Sequence, residues 1–136
     1  MFQEHIKQLA KELDIPYHNE TEYAYTLVLS PTLSIDIQEH TSTMHMRAQV
    51  GRLPIREREA LFTYLLKANF LGQGTGGAIL SIDPTETFFL CSHTKELSSS
   101  YEECKQMIED FANYVSYWQT EVGRLNKSPS HPWTTK

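Results

Sequence analysis

Apolar residues recur along this chain with the period of a helix at three places and the period of a strand between them. Phe2, Ile6, Leu9 and Leu13 follow at spacings of four, three and four, which puts them on one helical face, with Lys7, Lys11 and Glu12 off it. Asp14 and Pro16 end that helix, because the residue before a proline is pushed out of helical space. Residues 23–29 are rich in aromatic and β-branched side chains and read as a strand, followed by a Ser30-Pro31 turn. Leu33, Ile35 and Ile37 alternate with Ser34, Asp36 and Gln38, a strand buried on one side. Met44, Met46, Ala48 and Val50 alternate with His45, Arg47 and Gln49 in a third. The short connections favour an antiparallel meander.

Gly-Arg-Leu-Pro at 51–54 interrupts this pattern, and a second helix is expected over 55–70. Its apolar positions, Leu61, Leu65 and Ala68 with Phe62 and Leu66, form more than a single stripe. A helix this apolar fits burial on two sides, for instance against its own sheet and a second subunit. Residues 78–82 and 87–91 read as two strands joined by a turn at 83–86, Asp-Pro-Thr-Glu. Serines 98–100 can cap a last, long helix. Its face is Cys104, Met107, Ile108, Phe111, Val115, Trp118 and Val122, with Tyr114 beside it and Glu102, Glu103, Glu109, Asp110 and Glu121 on the solvated side. From about Asn126 the chain turns polar and proline-bearing, and residues 126–136 are expected to be a mobile tail.

The expected order is α-β-β-β-α-β-β-α: an α+β fold with a twisted, mostly antiparallel five-stranded sheet and three helices, in one domain over 1–125. At 136 residues, 40% hydrophobic and 21% charged, the chain suits a globular domain of this size. Twelve basic against 17 acidic residues leave a net charge of −5. That disfavours nucleic acid and anionic membrane surfaces as partners and suits a basic segment of another protein. The first residues lack a basic start followed by an apolar run, so no signal peptide is expected, and no stretch approaches the roughly 18 apolar residues of a membrane span.

The obvious place to look for chemistry is the run Gly-Gln-Gly-Thr-Gly-Gly at 72–77. A phosphate-binding loop has a strand before it, a helix after it, and Lys then Ser or Thr following its glycines. Here the order of elements is reversed and Ala78 follows Gly77, so the run reads as a structural junction: Gly72 ends the helix and the later glycines permit close backbone approach. The six histidines form no HxH or HxxxH pair, and Cys91 and Cys104 make no CxxC motif. Two reduced thiols suit a cytosolic protein, with Cys91 buried in an apolar strand. Glu57 and Glu59 beside Arg56 and Arg58 are a solvated charge run, and nothing singles out a pair of carboxylates for hydrolysis. The expectation is no enzyme, no cofactor and no metal site, in a protein with apolar surface to spare. Met44 and Met46 could belong to the core or to a permissive binding surface.

Over residues 65–83, Leu-Leu-Lys-Ala-Asn-Phe-Leu-Gly-Gln-Gly-Thr-Gly-Gly-Ala-Ile-Leu-Ser-Ile-Asp, the chain resembles the class I type III secretion chaperones, the CesT/SycE-like family. The matching positions are Leu65, Asn69, Gly72, Gly76, Gly77 and Asp83, and the order of elements matches from Phe2 to Leu125. The resemblance implies a bacterial cytoplasmic dimer without ATPase activity, associated with virulence. It would bind the N-terminal segment of one or more effectors in extended form and keep them soluble and export-competent for the secretion apparatus. Carried over, dimerisation falls on Leu61, Leu65, Phe70, Leu71, Gly76 and Ile79, and effector binding on Phe2, Ile6, Leu9, Leu33, Ile35 and Phe88. A homodimer is expected, with a heterodimer of related chaperones as a variant. The alternative is a regulatory protein-binding module on the same fold, outside secretion.

Overall fold

A computed structural model describes residues 2–70 and 77–127. Three helices and six strands follow in the order α1 (Phe2–Leu13), β1 (Tyr17–Thr21), β2 (Ala24–Ser30), β3 (Leu33–Glu39), β4 (Thr43–Arg52), α2 (Arg58–Asn69), β5 (Ile79–Ile82), β6 (Phe88–Glu96) and α3 (Tyr101–Lys127). The strands lie in one sheet in the order β1-β2-β3-β4-β6-β5, so β1 and β5 are its edges. The α+β class and the antiparallel pairing expected from the pattern hold, with one correction: the sheet has six strands where five were expected. The added strand, β1, is Tyr-His-Asn-Glu-Thr, exposed along nearly its whole length, so it carries no apolar alternation to announce it.

The described residues fall into two compact units. One comprises the chain through Ala48 together with His93–Asn113; the other comprises Gln49–Ser92 and the chain from Tyr114 onward. In the first unit, Tyr25 pairs with Ile37, Leu27 with Ile35, and Ile37 with Met46, which collects the apolar positions of three strands on one sheet face. Phe2, Ile6, Leu9 and Ala10 of α1 are buried as well, and Phe2 meets Tyr25 edge to face at 5.7 Å between ring centroids. Met44 and Met46 are fully buried and belong to this core. α1 stops where the sequence suggests: Asp14 takes a left-handed φ of 53°. Its N–H donates to the Lys11 carbonyl while Ile15 N–H donates to the Ala10 carbonyl. These two bonds satisfy carbonyls that a helix end leaves orphaned, with Asp in place of the usual Gly.

In the second unit β4 continues through Gly51 and Arg52, beyond the expected break at Gly51. Gly51 is there for space: a Cβ on it would lie 3.0 Å from Cγ1 of Val122 on α3. α2 starts at Arg58 and not at residue 55; Ile55 is 92% exposed, and Glu57 before the helix is left-handed with φ 63°. The 83–86 turn forms as expected. Asp83 Oδ1 accepts the N–H groups of Thr87 and Phe88 at 2.8 Å each, which holds its carboxyl below the usual range. α3 begins on the anticipated cap, with Glu103 N–H donating to Ser100 Oγ at 3.3 Å. Cys104, Ile108, Phe111, Val115, Trp118 and Val122 of α3 are buried.

Candidate functional site

α2 and β5 together expose a concentration of apolar side chains. Leu61 and Leu65 face the core, whereas Leu66 is 69%, Phe70 63% and Ile79 57% exposed. Between the two elements lies a nearly wholly apolar cavity of about 230 Å³ lined by Phe62, Leu65, Leu66, Asn69, Leu80, Ser81 and Ile82. The breadth of apolar surface expected of the second helix is therefore real: one side is spent on the core and the other is open. Large exposed apolar patches are a general feature of interaction surfaces.

Asn69 is, with Ser81, a polar residue of the cavity wall. Its Nδ2 donates to the Leu80 carbonyl and its Oδ1 accepts the Leu80 N–H, both at 2.8 Å. This pair of bonds ties the last turn of α2 to β5. Behind the groove, Tyr64 donates its hydroxyl to Glu121 at 3.1 Å, and Glu121 also accepts from Arg124 at 2.7 Å. Burial, with Glu121 adding to it, pushes the Tyr64 hydroxyl up to about 12.

The six residues that the resemblance assigns to dimerisation separate in the structure. Phe70 and Ile79 are exposed but do not line the cavity, Leu61 and Leu65 lie on the buried side of α2, and Leu71 and Gly76 fall outside the described residues. Of the glycine run only Gly77 is described; its φ of 97° is a value that suits glycine. Phe62, Leu66, Leu80, Ser81 and Ile82 line the cavity and are not among the positions the resemblance assigned. Leu66 and Phe62 were visible as surplus apolar positions on α2.

The six residues assigned to effector binding are mostly interior. Phe2, Ile6, Leu9, Leu33 and Ile35 are buried in the first unit, and Phe88, in the second, is half-buried beneath the Arg52 guanidinium, 5.2 Å from its ring centroid. Of the large apolar side chains of the first unit, Leu13 and Tyr23 are exposed. An open cleft of about 330 Å³ is lined by Glu20, Thr26, Asp36, Gln38, His45 and Arg47, among others. Thr26 donates to Asp36 at 2.8 Å, Arg47 lies 3.9 Å from the same carboxylate, and His45 Nδ1 pairs with Thr94 Oγ1 at 2.8 Å. Burial, then the nearby Arg47, lowers His45 below its ordinary value. These groups satisfy one another across strands. Cys91 and Cys104 are free, buried thiols, pushed by burial to about 12 and about 11, so thiolate chemistry at neutral pH is suppressed. No group of three metal-binding side chains occurs among the described residues, and none of their helices is long and apolar enough to cross a membrane.

Comparison with known proteins follows the same line. The chain matches a structure of the ExsC–ExsE complex with a TM-score of 0.73 at 12% identity, covering 95% of this chain and 96% of the other. The Yersinia pestis type III secretion chaperone SycH, solved with a fragment of YscM2, matches with a TM-score of 0.64 at 11% identity, over 88% and 98%. YbjN from E. coli, described as a putative transcription regulator, gives 0.63 at 12% identity, over 90% and 91%. In sequence, a Chlamydia pneumoniae protein is 23% identical over 106 residues, 76% of this chain and 81% of that one. The profile of the Tir chaperone protein (CesT) family matches residues 4–119, most of the chain, and the chain belongs to that family.

Proposed function

We propose that the protein is a type III secretion chaperone that holds the N-terminal segment of one or more effectors in extended form, keeping them soluble and fit for export. Membership of the Tir chaperone family carries this reading. Likeness in fold to chaperones solved with effectors or other partners supports it. Residues 1–125 act as one binding domain, and two copies associate through the apolar surface of α2 and β5, where Leu66, Phe70 and Ile79 are exposed. An extended segment suits such a protein, because main-chain hydrogen bonds to a sheet edge give affinity and side-chain pockets give selectivity. The segment loses conformational entropy on binding, so it must bury a large surface to bind usefully. The chaperone itself needs no catalytic group and no fuel if the secretion apparatus strips it away.

Five of the six assigned effector contacts are buried in the free chain. In this reading they act by shaping the surface over them, or by exposure when α1 shifts, and Phe88 is the one able to meet a partner as it stands. A second reading, a regulatory protein-binding module on the same fold, is favoured by the likeness to YbjN. Co-expression with candidate partners, affinity capture and mass spectrometry separates the two. A captured exported protein supports the chaperone; a housekeeping or regulatory protein as the stoichiometric partner overturns it.

A further inference from the structure

The free edge of β5 is occupied by a side chain. Its pairing phase against β6 is fixed by Asp83 N–H donating to the Phe88 carbonyl at 3.0 Å. Antiparallel pairs alternate between hydrogen-bonded and non-hydrogen-bonded residues. With Ile79 opposite Ser92 and Ser81 opposite Leu90, the main-chain groups of Ile79 and Ser81 turn toward β6, and those of Leu80 and Ile82 turn outward. At Leu80 both outward groups are taken by the carboxamide of Asn69, one bond each way at 2.8 Å. A carboxamide carries the same donor and acceptor as a peptide group, so Asn69 makes the bonds that a neighbouring strand would make.

We propose that Asn69 is an edge plug that closes β5 to strand addition and so decides which edge of the sheet an extended partner can use. A docking strand needs outward main-chain groups at every second residue. With Leu80 engaged, β5, four residues long, offers only Ile82. The opposite edge is different. Val28 N–H donates to the Pro16 carbonyl at 3.1 Å, and Tyr17 pairs with Leu27 and Asn19 with Tyr25. By the same alternation Tyr17 and Asn19 turn their main-chain groups away from β2. Extended segments are thus directed to β1, and the α2–β5 surface meets its partner through side chains. The plug also removes a hazard: a bare edge beside exposed Ile79, Leu66 and Phe70 would template unwanted association. Only the assignment of β1 to an effector rests on the chaperone reading; the plug itself stands apart from it.

The test uses the full chain without effector. Asn69→Ala frees both Leu80 groups; Asn69→Asp keeps an acceptor for the Leu80 N–H but cannot donate to its carbonyl. Amide hydrogen exchange and light scattering over a concentration series are read for each. Asn69→Ala is expected to speed Leu80 exchange roughly tenfold, with Ile79 and Ser81 little changed, and to form concentration-dependent species heavier than wild type. Asn69→Asp is expected to keep most of the Leu80 protection and the wild-type mass. Should Asn69→Ala fail to fold, the Asp variant decides alone. Wild-type Leu80 exchange or an unchanged mass series in folded Asn69→Ala overturns the plug, as does complete loss of Leu80 protection in Asn69→Asp. Because no effector enters, failure here and failure to capture an exported partner are separate results.

Discussion

Tyr64 on α2 and Glu121 on α3 are joined by a 3.1 Å hydrogen bond, and the Tyr64 ring stands edge-on to Trp118 at 6.0 Å between centroids. The contact fixes the helix that carries the groove to the helix behind it. Tyr64→Phe keeps the ring and removes the bond. It should destabilise the protein by about 1 kcal/mol, read as a lowered urea midpoint with an unchanged slope. An unaltered midpoint would mean the bond contributes nothing net.

Two glycines should respond to the same substitution with opposite sign. A methyl on Gly51 meets Val122 at 3.0 Å, whereas Gly123, inside α3, has nothing within 4 Å of the added atom. Gly51→Ala is expected to cost about 1 kcal/mol or more through overpacking. Gly123→Ala should stabilise by roughly 0.5–1 kcal/mol, because glycine in a helix carries an entropic penalty. Thermal melts of the two variants check both signs. A Gly51→Ala, Val122→Ala double variant should recover part of the first loss, since contacting residues couple.

Stability should be flat near neutral pH and fall on both sides. The Tyr25, Tyr64 and Cys91 protons are held to about 12, chiefly by burial, against ordinary values of 10.0 for tyrosine and 9.0 for cysteine. A raised folded value gives stability that is whole below the unfolded value and is lost as pH climbs through the folded one. The alkaline decline therefore starts above about pH 9. His45 and His93 are lowered from 6.5, mainly by burial, so their contribution is present above that value and lost as pH falls below it. Urea midpoints measured from pH 5 to 11 should trace this plateau; a maximum at pH 5 or at pH 10 would contradict it.

The α2–β5 surface makes a direct prediction about assembly. Leu66→Glu with Ile79→Glu places charge on two exposed positions and leaves the core intact. Wild-type protein should scatter as twice the 15.7 kDa chain, and the double variant as a single folded chain. A wild-type monomer, or a variant that still dimerises, counts against this surface as the dimer face.

Much of this molecule could be read from its sequence. Strict alternation gave β3 and β4, because a one-sided sheet must repeat every two residues. The α3 face from Cys104 to Val122 could be read because a long helix against a core must repeat near every three to four. β1 was hidden, since an exposed edge strand buries nothing and Tyr-His-Asn-Glu-Thr has no period to detect. Gly51 was misread as a break because a small residue in a strand looks the same whether it ends the strand or makes room for Val122. Surplus apolar residues on α2 flagged the groove in advance. Asn69 stood out as a matched position of the resemblance, but its bond to Leu80 did not show, because an asparagine in a helix does not name the distant backbone it meets. Burial versus binding was the hardest distinction: Phe2, Ile6 and Leu9 have the same spacing in either role.

The central claim, that the chain holds an exported protein in extended form, is tested most directly by limited proteolysis of the complex. The captured partner is digested with and without the chaperone, and the surviving fragment is identified by mass spectrometry. The account predicts protection of one continuous N-terminal segment of an exported protein, a segment that is cleaved rapidly when free. Protection of an independently folded domain, or no protected segment at all, would contradict it.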